Sequence, residues 1–277
     1  FWLPRAYAIP GVARLCEAVY RFIAMRRQLF SRLTRLLWGV KVVPAPIHFT
    51  VKIVLAGIGL CYLFAFASLG SQVRGLIGSD GVMPAAAMLS SAKAQLGASR
   101  FWLFPTVAWL SASDTALAAY CWLGGLASLG MIGGVAAGPC ALLCWILYLS
   151  LSAVGADFMS FQWDVLLLEA GLISCFLAPW SMSSRRTAAP SRGALWLLRL
   201  LLLKLMLQSG LVKIFSGDNV WRDLTALTYH YWTQPLPTPL SWWFSLMPLW
   251  AHKVTCLFLF LIELVAPILI LFPRHAR

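Results

Sequence analysis

Acidic residues are scarce in this sequence: 9 Asp and Glu stand against 22 Lys and Arg in 277 residues, and charged residues of both signs make up only 11% of the chain. Soluble domains carry about a quarter, so this composition argues against a water-soluble globular domain. Also missing are GxSxG, HExxH, the P-loop and the glycine-rich dinucleotide fingerprint. Their absence argues against the common soluble hydrolases, zinc proteases and nucleotide-binding enzymes. The seven cysteines, at 16, 61, 121, 140, 144, 175 and 256, form no CxxC pair and lie mostly inside apolar segments. They read as buried, unpaired thiols, and no metal site or cofactor is expected.

Apolar sequence is abundant. Hydrophobic residues make up 61% of the chain, mean hydropathy is +0.80, and apolar runs of about twenty residues, enough to cross roughly 30 Å of hydrocarbon, recur along it. The expected fold class is all-α: a polytopic transmembrane bundle of about six spans, at 51–69, 115–135, 139–155, 163–180, 194–214 and 254–272, in contact with membrane lipid. The chain starts at Phe1 without a signal-peptide pattern and stops at Arg277 just after a span, so it reads as a piece cut at both ends.

The net charge of +13 does not point to nucleic acid, because nine of the 22 basic residues precede residue 53 with no aromatic-interleaved basic groove beside them. Anionic lipid suits that distribution. Val12, Leu15, Val19, Phe22, Leu29, Leu33 and Leu36 recur at helical spacing while Arg14, Arg21, Arg32 and Arg35 gather on another side. That pattern predicts a basic amphipathic helix over 11–38, lying in the membrane interface. Pro44 and Pro46 then break the periodicity and set a boundary between an N-terminal interfacial segment, 1–45, and a transmembrane domain, 46–277.

Within the bundle, Gly130, Gly134 and Gly138 at four-residue spacing predict a bare helix face, and Pro139 predicts a tight hairpin between the second and third spans. Basic residues of the N-terminal segment, the 181–193 loop and the tail share one side of a six-span bundle, the cytoplasmic side. Loops 70–113 and 215–253 then face the side where exported proteins fold.

Two sets of residues are candidates for function. Asp164, Glu169, Arg199, Lys204, Lys213 and Glu263 lie in or at the edges of apolar spans, where a lone charge costs about 2.5–3.5 kcal/mol on insertion scales. They must face protein, water or each other. The spacing allows fourth-span carboxylates to pair with fifth-span cations as an inter-helix clamp, whereas Glu263 has no cation in its own span. The second set is the loop after the fifth span. Asp218 is placed to cap a short helix carrying Trp221 and Arg222, with Leu224 and Leu227 inward. Pro235, Pro237 and Pro239 enforce an extended stretch before a second short helix with Trp242 and Trp243. His230, among Tyr229, Tyr231 and Trp232, lacks an evident orienting carboxylate, and a hydrogen-bonded structural role suits it better than that of a general base.

This loop resembles the lipase maturation factor family in Gly217, Asp218, Trp221, Arg222, Asp223, Leu224 and Thr225, followed by Tyr229, His230 and Gln234-Pro235-Leu236-Pro237. Phe161 to Asp164 with Leu166 to Glu169, Gly210 to Lys213, and Leu76 to Gly78 with Gly81 and Pro84 are similar too, so the resemblance covers about 50–277. It implies an integral membrane protein that helps lipases or other exported clients fold, a folding factor rather than an enzyme, without catalytic residues to carry over. It also implies that the chain ends before the family's C-terminal soluble region. The alternative is a membrane-embedded redox or carboxylase-like enzyme using the intramembrane charges. The first forty residues resemble the tail of a DCC-type thiol-disulfide oxidoreductase through Ile9 to Gly11, Tyr20 and Ala24 to Arg27. That fusion suggests a bacterial inner membrane, or the endoplasmic reticulum membrane for a eukaryotic protein.

Overall fold

The structure is a computed structural model that describes residues 12–38, 47–181 and 190–271. Among the described residues there is no strand. The chain divides at Pro46/Ile47 into two units.

In the first unit the expected single helix is two, α1 (Val12–Met25) and α2 (Arg27–Trp38). The interruption at Arg26 is one residue deep, since Arg26 N still donates to Phe22 O at 3.3 Å and Phe30 N to Arg26 O at 3.1 Å. The Arg26 guanidinium lies 4.7 Å from the Phe22 ring centre, and Glu17 pairs with Arg21 one turn on at 3.6 Å. The Pro44 and Pro46 linker and the Ile9 to Gly11 stretch lie outside the described residues.

The second unit is built from antiparallel helix pairs. α3 (Ile47–Ile77) is followed by the short helices α4 (Ala85–Leu96) and α5 (Arg100–Leu103), then by α6 (Asp114–Gly133) and α7 (Ala137–Gly155). α8 (Gln162–Leu177) and α9 (Arg192–Phe215) follow, with α8 packed against both α7 and α3, where Tyr62 Oη donates to Leu167 O at 3.2 Å. After the short helices α10 (Asn219–Arg222), α11 (Ala226–Thr233) and α12 (Ser241–Ser245), α13 (Leu249–Phe260) returns along α9. It continues as a π turn over Leu261–Val265 and a 3₁₀ turn to Leu271.

Five of these helices, α3, α6, α7 with its extension to Met159, α9, and α13 with its extension to Leu271, are long and apolar enough to cross a membrane. The fourth expected span, α8, has 16 residues, about 24 Å at 1.5 Å per residue, which falls short of that length. It still runs beside most of α7, because Tyr148 Oη donates to Asp164 Oδ1 at 2.5 Å near one end and Gly138 N donates to Pro179 O at 3.0 Å near the other.

Burying apolar surface does not drive helix association in lipid, where close contact does instead. Glycine supplies that contact between α3 and α6: a Cβ at Gly59 would stand 3.2 Å from Ser128 O, and Gly124 has the Phe66 ring packed on it. Phe66, Tyr62 and Tyr148 are buried: Tyr62 and Phe66 stack, and Tyr148 meets both edge to face, 5.6 Å from each ring centre. The expected bare face at Gly130, Gly134 and Gly138 is corrected. α6 ends at Gly133, Gly134 makes the left-handed turn (φ 70°), and Gly138 already belongs to α7, where it admits Trp180. Ala136 also has positive φ (47°), so the 134–136 turn is the tight hairpin expected at Pro139.

The pairs fix which loops share an end. Ser79 N donates to Asp114 Oδ1 at 2.8 Å where α3 hands over to α6, and Thr106 Oγ1 donates to Ser150 O at 3.0 Å near the end of α7. α9 runs antiparallel to α8, with Lys204 on Glu169. Segments 78–113 and 216–248 therefore emerge at one end of the bundle, and the 134–136 turn and residues 178–181 and 190–191 lie at the other.

Candidate functional site

The intramembrane charges meet across helices. Lys213 Nζ on α9 donates to Glu263 Oε1 and Oε2 at 2.8 and 2.9 Å and to Ser209 Oγ at 2.8 Å. Ser209 Oγ in turn donates to Glu263 Oε1 at 3.1 Å. Local sequence brings these groups together. At Gly210 an added Cβ would come within 2.8 Å of Leu264 Cγ, so only glycine lets α13's continuation approach this closely. Pro267, four residues after Glu263, has no N–H to give the Glu263 carbonyl, and the backbone widens to a π turn over 261–265. Glu263, without a cation in its own span, finds one on α9.

Glu169 takes Lys204, the fourth-to-fifth span pairing expected from the sequence. Asp164 does not follow that expectation: it sits in the first turn of α8, is 6% exposed, and its partner is the Tyr148 phenol on α7. Arg199 lies over the Trp196 ring at 5.2 Å. Among the described residues, no three His, Cys, Asp or Glu side chains are grouped to hold a metal ion. All seven cysteines are free; Cys121, Cys144, Cys175 and Cys256 are buried as expected, Cys140 is half-buried, and Cys16 and Cys61 are exposed.

Above the Lys213–Glu263 pair stands an ordered cap. Lys213 Nζ lies 5.5 Å from the Trp221 ring centre, and Trp221 meets Phe260 edge to face at 6.2 Å. Trp221 is held in α10, whose first turn is capped by Asp218 Oδ1 accepting from Val220 N at 3.0 Å. Leu224 adopts positive φ (59°) where glycine is usual. Thr225 N donates to Val220 O at 2.8 Å and Leu224 N to Trp221 O at 3.3 Å, which closes the helix end and turns the chain into α11.

α11 buries Ala226 and Leu227 and sets Tyr231 against Phe244 and His252, with ring centres 6.0 and 5.9 Å away. Buried Ser241 pins the proline stretch: its Oγ accepts from Gln234 Nε2 at 2.8 Å and from Thr238 N at 3.1 Å. Trp232 and Trp242 pack edge to face at 5.3 Å.

Of the loop residues singled out in the sequence, Trp221, Thr225 and Gln234 are half-buried and hold the cap together. Asp218, Arg222, Asp223, Tyr229, His230, Trp232, Pro235 and Pro237 are exposed. Among the described residues, the His230 ring lies 6.1 Å from the Tyr231 ring and its side chain makes no hydrogen bond, where a hydrogen-bonded role was expected. The histidine built into the interior is His252, in the first turn of α13, which sequence reading missed. Its place before an apolar span resembles that of any interfacial residue. Only the register of α13 against α11 buries it.

A family model described as the lipase maturation factor transmembrane domain matches residues 49–277. Lipase maturation factor 2 of Homo sapiens is 40% identical over 239 residues, covering 80% of this chain and 34% of that protein. Lipase maturation factor 2 of Gallus gallus is 37% identical over 236 residues, covering 80% and 32%. Lipase maturation factor 1 of Homo sapiens is 34% identical over 248 residues, covering 84% and 44%. No solved structure matches the chain. The chain spans about a third of the length of the first two relatives. The family match begins at residue 49 and has no bearing on the oxidoreductase likeness of the first forty residues. With most of the chain matched, and its helices arranged as a membrane bundle, the protein belongs to the lipase maturation factor family.

Proposed function

We propose that this chain is the membrane part of a factor that helps exported proteins reach their active fold, and that the 216–248 cap is its client surface. The observation that carries the reading is the exposed aromatic face of the cap. Tyr229, Trp232, Trp242 and Trp243 are each more than half exposed, although the segment bearing them is fixed from beneath by Trp221, Tyr231 and Ser241. Rigid aromatic side chains offer large contact area at small entropic cost, which suits binding of apolar surface on an incompletely folded partner.

Lipases are the clients that the relatives' names suggest, and segment 78–113 at the same end of the bundle supplies a second contact surface. That end faces the compartment where exported proteins fold. The relatives compared are vertebrate proteins, so they lend nothing to the bacterial inner membrane expectation, and the endoplasmic reticulum membrane is the better placement. The intramembrane pairs Lys213–Glu263 and Lys204–Glu169 satisfy each other, which favours helix clamping over turnover.

A photocrosslinking residue placed at Trp232 or Trp243, in cells co-expressing a secreted lipase from the same genome, tests this. Lipase captured at the cap and not from Trp196, an exposed position on α9, supports the surface. Equal capture at all three, or none, rejects it.

A further inference from the structure

Between α3, α7 and α8 lies a cavity of about 840 Å³, within the roughly 300–1,000 Å³ usual for small-molecule sites. Its walls are mainly apolar, with Ile58, Leu69, Phe158 and Leu167 among them. Its polar lining consists of Ser68, Gln72, Tyr148, Asp157 and Asp164, and no Lys or Arg is present among the lining residues. Asp164 is buried. Its Oδ1 takes the Tyr148 proton donor, but its Oδ2 is sealed from solvent without a hydrogen-bond partner among the described residues. An acceptor stripped of water in apolar surroundings carries its full desolvation cost until a donor reaches it.

The open side of the cavity is flanked by Phe64, Phe161 and Trp163, all exposed, with the rings of Phe161 and Trp163 stacked 4.7 Å apart. Phe64 lies in the middle of the long apolar helix α3, so that side opens toward lipid rather than water. Two carboxylates without a compensating cation repel an anionic head, and the bare oxygen calls for a donor.

We propose that this cavity binds a single-chain amphiphile from the bilayer whose head donates hydrogen bonds and bears no negative charge. Asp164 turns its Oδ2 to that head as it binds and accepts from it, and the apolar walls take the tail. The head is a hydroxyl, as in a monoacylglycerol, or an ammonium, as in a long-chain amine. The site uses no residue of the 216–248 cap and stands independently of the client reading.

The test is photolabelling of the full-length protein in phosphatidylcholine nanodiscs with a monoacylglycerol that carries a diazirine in its chain, followed by peptide mapping. Labelling is expected to concentrate on 58–76 and 157–170, and to be competed by excess monooleoylglycerol or oleylamine but not by oleate. Stronger competition by the amine assigns an ammonium head, and stronger competition by the glyceride assigns a hydroxyl. Asp164→Asn should reduce labelling about tenfold, the scale of one lost hydrogen bond to a charged group, and Ala65→Leu, which fills the cavity and leaves Asp164 in place, should reduce it at least as much. If Asp164→Asn unfolds the protein, Ala65→Leu decides. Labelling spread over all the lipid-facing helices, competition by oleate equal to that by monooleoylglycerol, or full labelling of a folded Ala65→Leu protein overturns the proposal.

Discussion

Lys213 on α9 and Glu263 on the π turn after α13 hold each other through both carboxylate oxygens, at 2.8 and 2.9 Å, fifty residues apart in sequence. The pair lies directly beneath Trp221, so the joint between the last two long helices is also the floor of the cap.

Breaking that pair from one side strands a charge in the bundle. Glu263→Met or Lys213→Met should each cost about 3–5 kcal/mol of unfolding stability, and the double replacement distinctly less than the sum. Chemical denaturation in micelles reads both quantities. Additive losses contradict a direct pair.

The close approach that makes the pair depends on Gly210. Gly210→Val forces Leu264 away and should destabilise by about 1–3 kcal/mol, whereas Gly57→Val, with nothing within 4 Å of its added Cβ, should change little. Thermal unfolding of the two variants side by side checks this, and equal effects count against the α9–α13 contact.

Tyr148→Phe leaves both Asp164 oxygens without a protein partner and should cost about 1–3 kcal/mol. Adding Asp164→Leu should restore part of that loss. Unchanged stability of Tyr148→Phe means that the phenol does not hold this carboxylate.

The end of α10 is a local device, so its cap should act locally. Asp218→Ala should lower the stability of the 219–225 segment by about 1 kcal/mol, read as roughly fivefold faster amide exchange at Val220 with the α3 amides unaffected. A uniform change over the whole protein contradicts that assignment.

The long helices were legible because twenty consecutive apolar residues leave the backbone no other way to satisfy its polar groups in lipid. The cap was legible too, since Asp218 and the prolines at 235, 237 and 239 act on their own neighbours. What depends on register between distant helices was not. Glu263 showed no partner because Lys213 is brought to it by Gly210 and by the backbone widening before Pro267, and neither feature announces which helix it will meet. Asp164 meets the Tyr148 phenol rather than the fifth-span cation that the spacing allows, and a tyrosine in an apolar span reads as packing. His252 went unnoticed because its burial is a property of α11 and α13 together. Pro139 announces the hairpin at 134–136, but the four-residue spacing of its glycines points to a helix face, and the helix ends one residue before Gly134.

The proposal that the exposed aromatic face of the cap serves client folding stands or falls on one experiment: the full-length protein is co-expressed with a secreted lipase from the same genome, and lipase specific activity is measured with and without a paired Trp232→Ala, Trp242→Ala change, at matched membrane insertion. Lipase activity should depend on the protein and fall in the paired variant while the bundle stays folded. Lipase activity that is the same with the intact protein, with the inserted variant and with neither contradicts it.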